Sequence, residues 1–268
     1  FKDGDDNDIS LYWPDHNTHY FMRGVSPATT TVTSGSIDVA AATYNSSTNL
    51  LIGAPVITTN TMCGGTSHDP VDMSTGGICA REATIDADGK ITTGGINLTF
   101  EYMMSQISIN LVTTTGSDAV NLTGAKVEIV NGYTSGKISL HDKAITVPAT
   151  SGASPGDFTI DHVSTETADT RHCVVVPQSL TNSASPAQDL KFRVTIYKSG
   201  TTTVDDIYYA TIKDIKVKEG SETTSKTITA WERGKHYKYT LNLKKTEMQV
   251  TATIKNWVEV NAEENVWF

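Results

Sequence analysis

Between His236 and Lys255 the chain alternates apolar and polar residues with a period of two, and no other stretch limits the fold as tightly. Tyr237, Tyr239, Leu241 and Leu243 alternate with His236, Lys238, Thr240 and Asn242. After "KKTE", Met248, Val250, Ala252 and Ile254 alternate with Gln249, Thr251, Thr253 and Lys255. A period of two puts one set on a buried face and the other in water, so the sequence predicts a hairpin of two half-buried strands. Trp231 and Trp257 flank it, each able to bury about 150–250 Å² as a core anchor. Gly234 is placed to open the first strand at a tight turn. No group in the stretch is suited to chemistry; its regularity reports packing.

Shorter pieces of the same signature recur upstream. In "INLTFEYMMSQISINLV", Leu98, Phe100, Tyr102 and Met104 share one parity, whereas Ile107, Ile109 and Leu111 take the other. A slip of one residue predicts a bulge at Ser105 and Gln106, or a bend at which the strand changes partner. "LKFRVTIYKSGTTTVDDIYYATI" predicts a hairpin with Phe192, Val194 and Ile196 inward, and "TIDADGKIT" another turning at Asp88 and Gly89. The opening stretch, broken by Pro14 and Pro27, reads as short strands and loops, and Thr58 to Ala80 as a long surface excursion. A hydrophobic content of 38% suits thin β layers with many turns and little helix.

A chain of 268 residues is long enough for two ordinary domains. The Gly116 region is the candidate linker, giving an N-terminal domain over 1–116 and a C-terminal domain over 117–268, with "PATSGASPGD" around residue 152 as the alternative boundary. Lys and Arg total 21 against 30 Asp and Glu, a net charge of −9 and the wrong sign for neutralising phosphates, so nucleic acid is not an expected partner. No run approaches the roughly 20 apolar residues that span a bilayer. Phe1 opens the chain without a Met or a signal segment, and a processed or truncated product is expected. Cys63, Cys79 and Cys173 make an odd count: Cys63 and Cys79 are joined, or all three are buried thiols.

Four arrangements invite a chemical reading. Asp3, Asp5 and Asn7 alternate like the first ligands of a calcium loop, but Asp8 stands where that loop needs Gly and Pro14 where it needs Glu, so a solvated acidic loop is expected. His16 and His19 would share a face only on a helix, which Pro14 and the aromatic neighbours oppose. His172 and Cys173 are adjacent on a strand and point apart, which leaves Cys173 as a small core residue. "GASPG" around Ser154 has the letters of a hydrolase nucleophile elbow without the strand and helix that the elbow requires. Neither metal nor cofactor is expected, and no catalysis. The sequons at Asn45, Asn97 and Asn121 matter only in a glycosylating host.

"WERGKHYKYTLNLKKTEMQVTATIKNW", preceded by "VVVPQ" and "INLTFEYMMSQISINL", resembles the fimbrillin family of Bacteroidales-type bacteria, the type V pilins. The family pattern falls on Trp231, Gly234, Lys235, Tyr237, Tyr239 and Trp257. "LYWP", "FMRGVSP" and "DPVDM" are similar to its earlier regions, whereas Tyr102 stands where the family often has His. The resemblance implies an all-β chain of two transthyretin-like β-sandwich domains in tandem, the first lacking its opening strands. It also implies export as a lipoprotein precursor to the outer membrane, and a place in a surface fimbria as a structural or adhesive subunit at a tip or anchor position. The implied partners are other pilin subunits, joined by strand donation, and a host protein or glycan. The tail "EVNAEENVWF", with Val260, Val266, Trp267 and Phe268, is either the sandwich's own last strand or the donor. The alternative is a monomeric carbohydrate-binding or host-binding module in which Tyr12, Trp13 and Tyr20 line the patch.

Overall fold

A computed structural model describes residues 20–21, 23–41, 49–55, 77–78, 84–85, 91–93, 98–148, 153–160, 170–219, 224–256 and 260–261. These residues form strands and turns, with a 3₁₀ turn at Ile212–Asp214 and no α-helix among them. Strands are numbered in chain order. A five-stranded sheet runs from β14 (Thr170–Val175) through β9 (Ser105–Thr113), β20 (Lys235–Lys244) and β21 (Glu247–Asn256) to β18 (Val217–Glu219). Facing it is a sheet of β13 (Gly156–Ile160), β10 (Lys126–Gly132), β16 (Lys191–Tyr197) and β17 (Val204–Thr211). A second four-stranded sheet comprises β2 (Gly24–Ser26), β4 (Leu51–Pro55), β8 (Leu98–Tyr102) and β22 (Val260–Asn261). A three-stranded sheet sets β11 (Ser135–Ser139) between β3 (Ser36–Ala40) and β12 (Ile145–Thr146). The remaining pairs are β1 (Tyr20–Phe21) with β5 (Gly77–Ile78), β6 (Thr84–Ile85) with β7 (Ile91–Thr93), and β15 (Gln178–Ser179) with β19 (Ala230–Trp231).

The long alternating stretch is the hairpin β20–β21, closed by Lys244 opposite Glu247. Tyr237, Tyr239, Leu241, Leu243, Ala252 and Ile254 are buried, whereas Lys238, Gln249, Thr251, Thr253 and Lys255 are exposed. The hairpins β16–β17 and β6–β7 also form, the first with Phe192, Val194 and Ile196 buried. The surface excursion from Thr58 to Ala80 lies outside the described residues apart from β5.

Two cores hold the layers. The larger lies between the five-stranded sheet and its facing sheet, where Ile107, Ile109, Tyr237 and Leu241 meet Val127, Phe192 and Val194. The smaller gathers Ile37, Val39, Ile52, Met103, Ile138 and Val176. The strand with the parity slip passes from one core to the other. β8 pairs with β4 and β22, β9 pairs with β14 and β20, and Met103 and Met104 between them are both fully buried. Of the two readings of the slip, the bend with a change of partner is the one realised. Both side-chain parities are buried there because the chain has apolar surroundings on each side as it crosses. Gly116, with φ of 87°, sits in the turn after β9, between Leu111 and Ala125 of the larger core.

Candidate assembly interface

Two features of a layered β protein can join molecules: a sheet edge with backbone groups to offer, and the side chains that hold that edge in place. The holding residues centre on the loop leading into β20. Trp231 is 1% exposed, and its indole N–H donates to the Tyr239 hydroxyl at 3.0 Å. The Tyr237 hydroxyl accepts from the Glu232 N–H at 2.9 Å. Gly234 turns the loop with φ of 67°, a conformation costly for any residue with a Cβ, and its N–H donates to Met104 O at 3.0 Å. Ser105 Oγ donates to Glu232 O at 2.7 Å, so the loop is tied to the bend where the chain leaves one core for the other.

The edge lies on the sheet just before that bend. Among the described residues, β22 covers β8 at Phe100 and Thr99, opposite Val260 and Asn261, while β8 runs for 5 residues. Glycines fix the position of Phe100: a Cβ at Gly24 or Gly53 would stand 2.6 or 2.8 Å from its ring. The ring thus lies across strand surfaces left bare for it, which holds β8 against β4 and β2.

A polar bridge crosses the five-stranded sheet on its outer side. Ser108 Oγ lies 2.6 Å from His172 Nδ1 and 2.6 Å from His236 Nε2. One hydroxyl can donate to only one ring and accept from the other, so one imidazole carries its proton on the atom facing Ser108 and the other does not. Burial, reinforced by the charges of Lys238, His172 and Lys255, pushes His236 down to about 4. Its folded pKa is below its unfolded value of roughly 6.5, so the stability it contributes is complete above that value and is lost as pH falls towards 4. His236→Gln, which keeps a hydrogen-bonding side chain without the charge, is therefore expected to flatten the loss of stability between pH 6.5 and 4. Urea midpoints of both proteins at pH 7, 5.5 and 4 measure this, with an expected difference of about 1–2 kcal/mol after allowance for partial exposure. Parallel curves would contradict it.

The other residues singled out in the sequence fall as follows. Ser154 is exposed and is followed by β13, not by a helix, so no nucleophile elbow forms. Cys173 is packed against the larger core, while His172 on the opposite face of β14 reaches Ser108. Asn121 Oδ1 accepts from the Thr123 N–H at 3.0 Å in a local turn. Among the described residues no cluster of three or more His, Cys, Asp or Glu could hold a metal. Tyr20 falls in β1 and Val260 in β22. Asp3 to Asp8, Tyr12, Trp13, His16, His19, Asn45, Cys63, Cys79, Asn97, Trp257, Val266, Trp267 and Phe268 lie outside the described residues. The Ser108 bridge was not legible in the sequence, because its members are far apart in the chain and only the order β14–β9–β20 brings them together.

Residues 2–257 match the family described as fimbrillin-like. A comparison with curated protein sequences finds no match. Among solved structures, the chain is similar to a candidate cell adhesion protein from Bacteroides uniformis, at 13% identity and a TM-score of 0.57, over 92% of this chain and 76% of that one. It is also similar to a fimbrilin from Porphyromonas gingivalis, at 10% identity and a TM-score of 0.47, over 85% of this chain and 74% of that one. The first likeness is one of fold.

Proposed function

The chain belongs to the fimbrillin-like family, and from that premise we propose that it joins its neighbours in a surface fimbria by accepting a strand along the edge of β8. The family is one of non-catalytic structural proteins of cell-surface fimbriae, and the chain is a fimbrial structural subunit. The observation that supports the strand-acceptance reading is that, among the described residues, this edge of β8 is paired at Phe100 and Thr99 alone. A strand running its full length would add main-chain hydrogen bonds that Val260 and Asn261 do not supply, and would bury apolar surface at about 25 cal/mol per Å². On this reading the chain's own tail occupies the edge until a neighbour's strand replaces it, and the two cores act as two sandwich units in tandem. Export as a lipoprotein to the outer membrane belongs to the same proposal, as does a tip or anchor position.

The test removes the tail and returns it in trans. A chain ending at Asn256 is expected to melt at a lower temperature than the full chain, and a synthetic peptide of residues 257–268 is expected to raise that midpoint in proportion to the logarithm of its concentration. A midpoint unaffected by both truncation and peptide would count against β8 as an accepting edge.

A further inference from the structure

The outer face of the five-stranded sheet carries a row of cations remote in register from the β8 edge. Lys218 on β18 stands beside Thr253 on β21, Thr253 beside Lys238 on β20, Lys238 beside Ser108 on β9, and Ser108 beside His172 on β14. Two residues further along β21, Lys255 faces His236. Alternation sends Val217, Tyr237, Tyr239, Ala252 and Ile254 into the core, so Lys218, Lys238, Lys255 and His236 turn to the other side, where all three lysines are exposed. With strands about 4.8 Å apart, Lys218 and Lys238 stand about 10 Å from one another, with Lys255 on the strand between them.

Elsewhere lysines meet carboxylates. Lys126, Lys213, Lys235 and Lys244 each lie 2.7 Å from one. Glu219, held by Lys226 and Lys235, is pulled down to about 2. Lys218, Lys238 and Lys255 form no ion pair among the described residues. In a chain of net charge −9, three exposed lysines with no carboxylate partner among the described residues make one face opposite in sign to the whole.

The groups between the cations narrow the partner. The outward positions of β20 and β21 are His236, Lys238, Thr240, Asn242 and Lys244, then Glu247, Gln249, Thr251, Thr253 and Lys255, with Lys244 and Glu247 paired to each other at the hairpin's end. None of these is aromatic or aliphatic, so the β20–β21 part of the face, which carries Lys238 and Lys255, lacks the apolar anchors that dominate protein interfaces. It offers ammonium groups for charge-assisted bonds, interleaved with hydroxyls and amides on a flat surface. We propose that this face binds an acidic polysaccharide, with carboxylate or sulfate groups seated on Lys218, Lys238 and Lys255 and sugar hydroxyls on Thr251 and Thr253.

The test uses the full chain with three immobilised probes at low salt: polygalacturonate, dextran sulfate and uncharged dextran. Binding to either anionic probe, weakened by added salt and absent on dextran, is expected, and the ratio between the two identifies the preferred group. The triple variant K218E/K238E/K255E should bind about tenfold or more weakly, whereas K137E/K198E/K245E, with the same change of charge at exposed lysines elsewhere, should bind as the parent does. All six side chains are exposed, with Lys137 alone of them near a carboxylate among the described residues, Asp38 at 3.6 Å, and the melting temperature checks that both variants fold. Equal binding by the two triple variants, equal binding to dextran, or no binding to either polyanion would overturn the proposal. So would self-association abolished by the first triple variant, since it would give the face to a second copy of the chain. None of these outcomes bears on the β8 edge.

Discussion

Trp231→Ala is expected to lower folding stability by about 3–5 kcal/mol, the largest effect of any single truncation in the molecule. Trp231 heads the fully buried side chains of the larger core. Its removal leaves a cavity that the surrounding strands cannot close, because Tyr239 is fixed on its other side by Phe192, edge to face at 4.8 Å and 68°. It also leaves the Tyr239 hydroxyl without the indole donor in a setting where burial already holds that phenol protonated well above its ordinary range. Trp231→Phe should restore part of the volume but not the hydrogen bond, and should fall between. Urea denaturation at pH 7 reads both; a loss below about 1 kcal/mol for Trp231→Ala would mean that the hairpin is anchored elsewhere.

Gln178→Leu should follow, at about 2–4 kcal/mol. The side chain is 6% exposed and works as a backbone substitute. Its Oε1 accepts from the Tyr133 N–H at 2.8 Å, while its Nε2 donates to Tyr133 O at 2.9 Å and Val176 O at 3.2 Å. Leucine fills a similar volume but leaves those buried backbone groups unanswered, whereas Gln178→Glu keeps the acceptor and should cost less at acid pH, where the carboxyl is protonated. Gln178 also faces Trp231 across the β15–β19 pair, so the double variant with Trp231→Ala is expected to depart from additivity. Denaturation midpoints of the single and double variants supply the cycle. Additive losses would separate the two sites.

Periodicity told which side of a strand is buried, but not which strand lies next to it. The alternation around Tyr237 and Val250 was enough to place the terminal hairpin and its core face, and the parity change near Met104 was enough to locate a discontinuity. Nothing local could say that β20 runs parallel to β9, 130 residues upstream, or that β11 pairs with β3. Those pairings depend on matching long-range registers, a cost in chain entropy that leaves no mark on either segment alone. Gln178 illustrates the same limit: nothing in "VVVPQ" marks its amide, and only the approach of Tyr133 gives it a role. The cationic face was visible as the wet side of a hairpin, but Lys218 and His172 join it only through the sheet order.

Thr99 and Asn261, opposite one another in register, offer the most direct test of the proposed strand-accepting edge of β8. In a background with Cys63, Cys79 and Cys173 replaced by Ser, one copy would carry Thr99→Cys and a second Asn261→Cys, and the two would be mixed under oxidising assembly conditions. Exchange of strands between copies predicts disulfide-linked dimers in the mixture that neither variant gives alone in the same pairing. A mixture that yields no such dimers, while the double variant in a single chain closes its own disulfide, would contradict it.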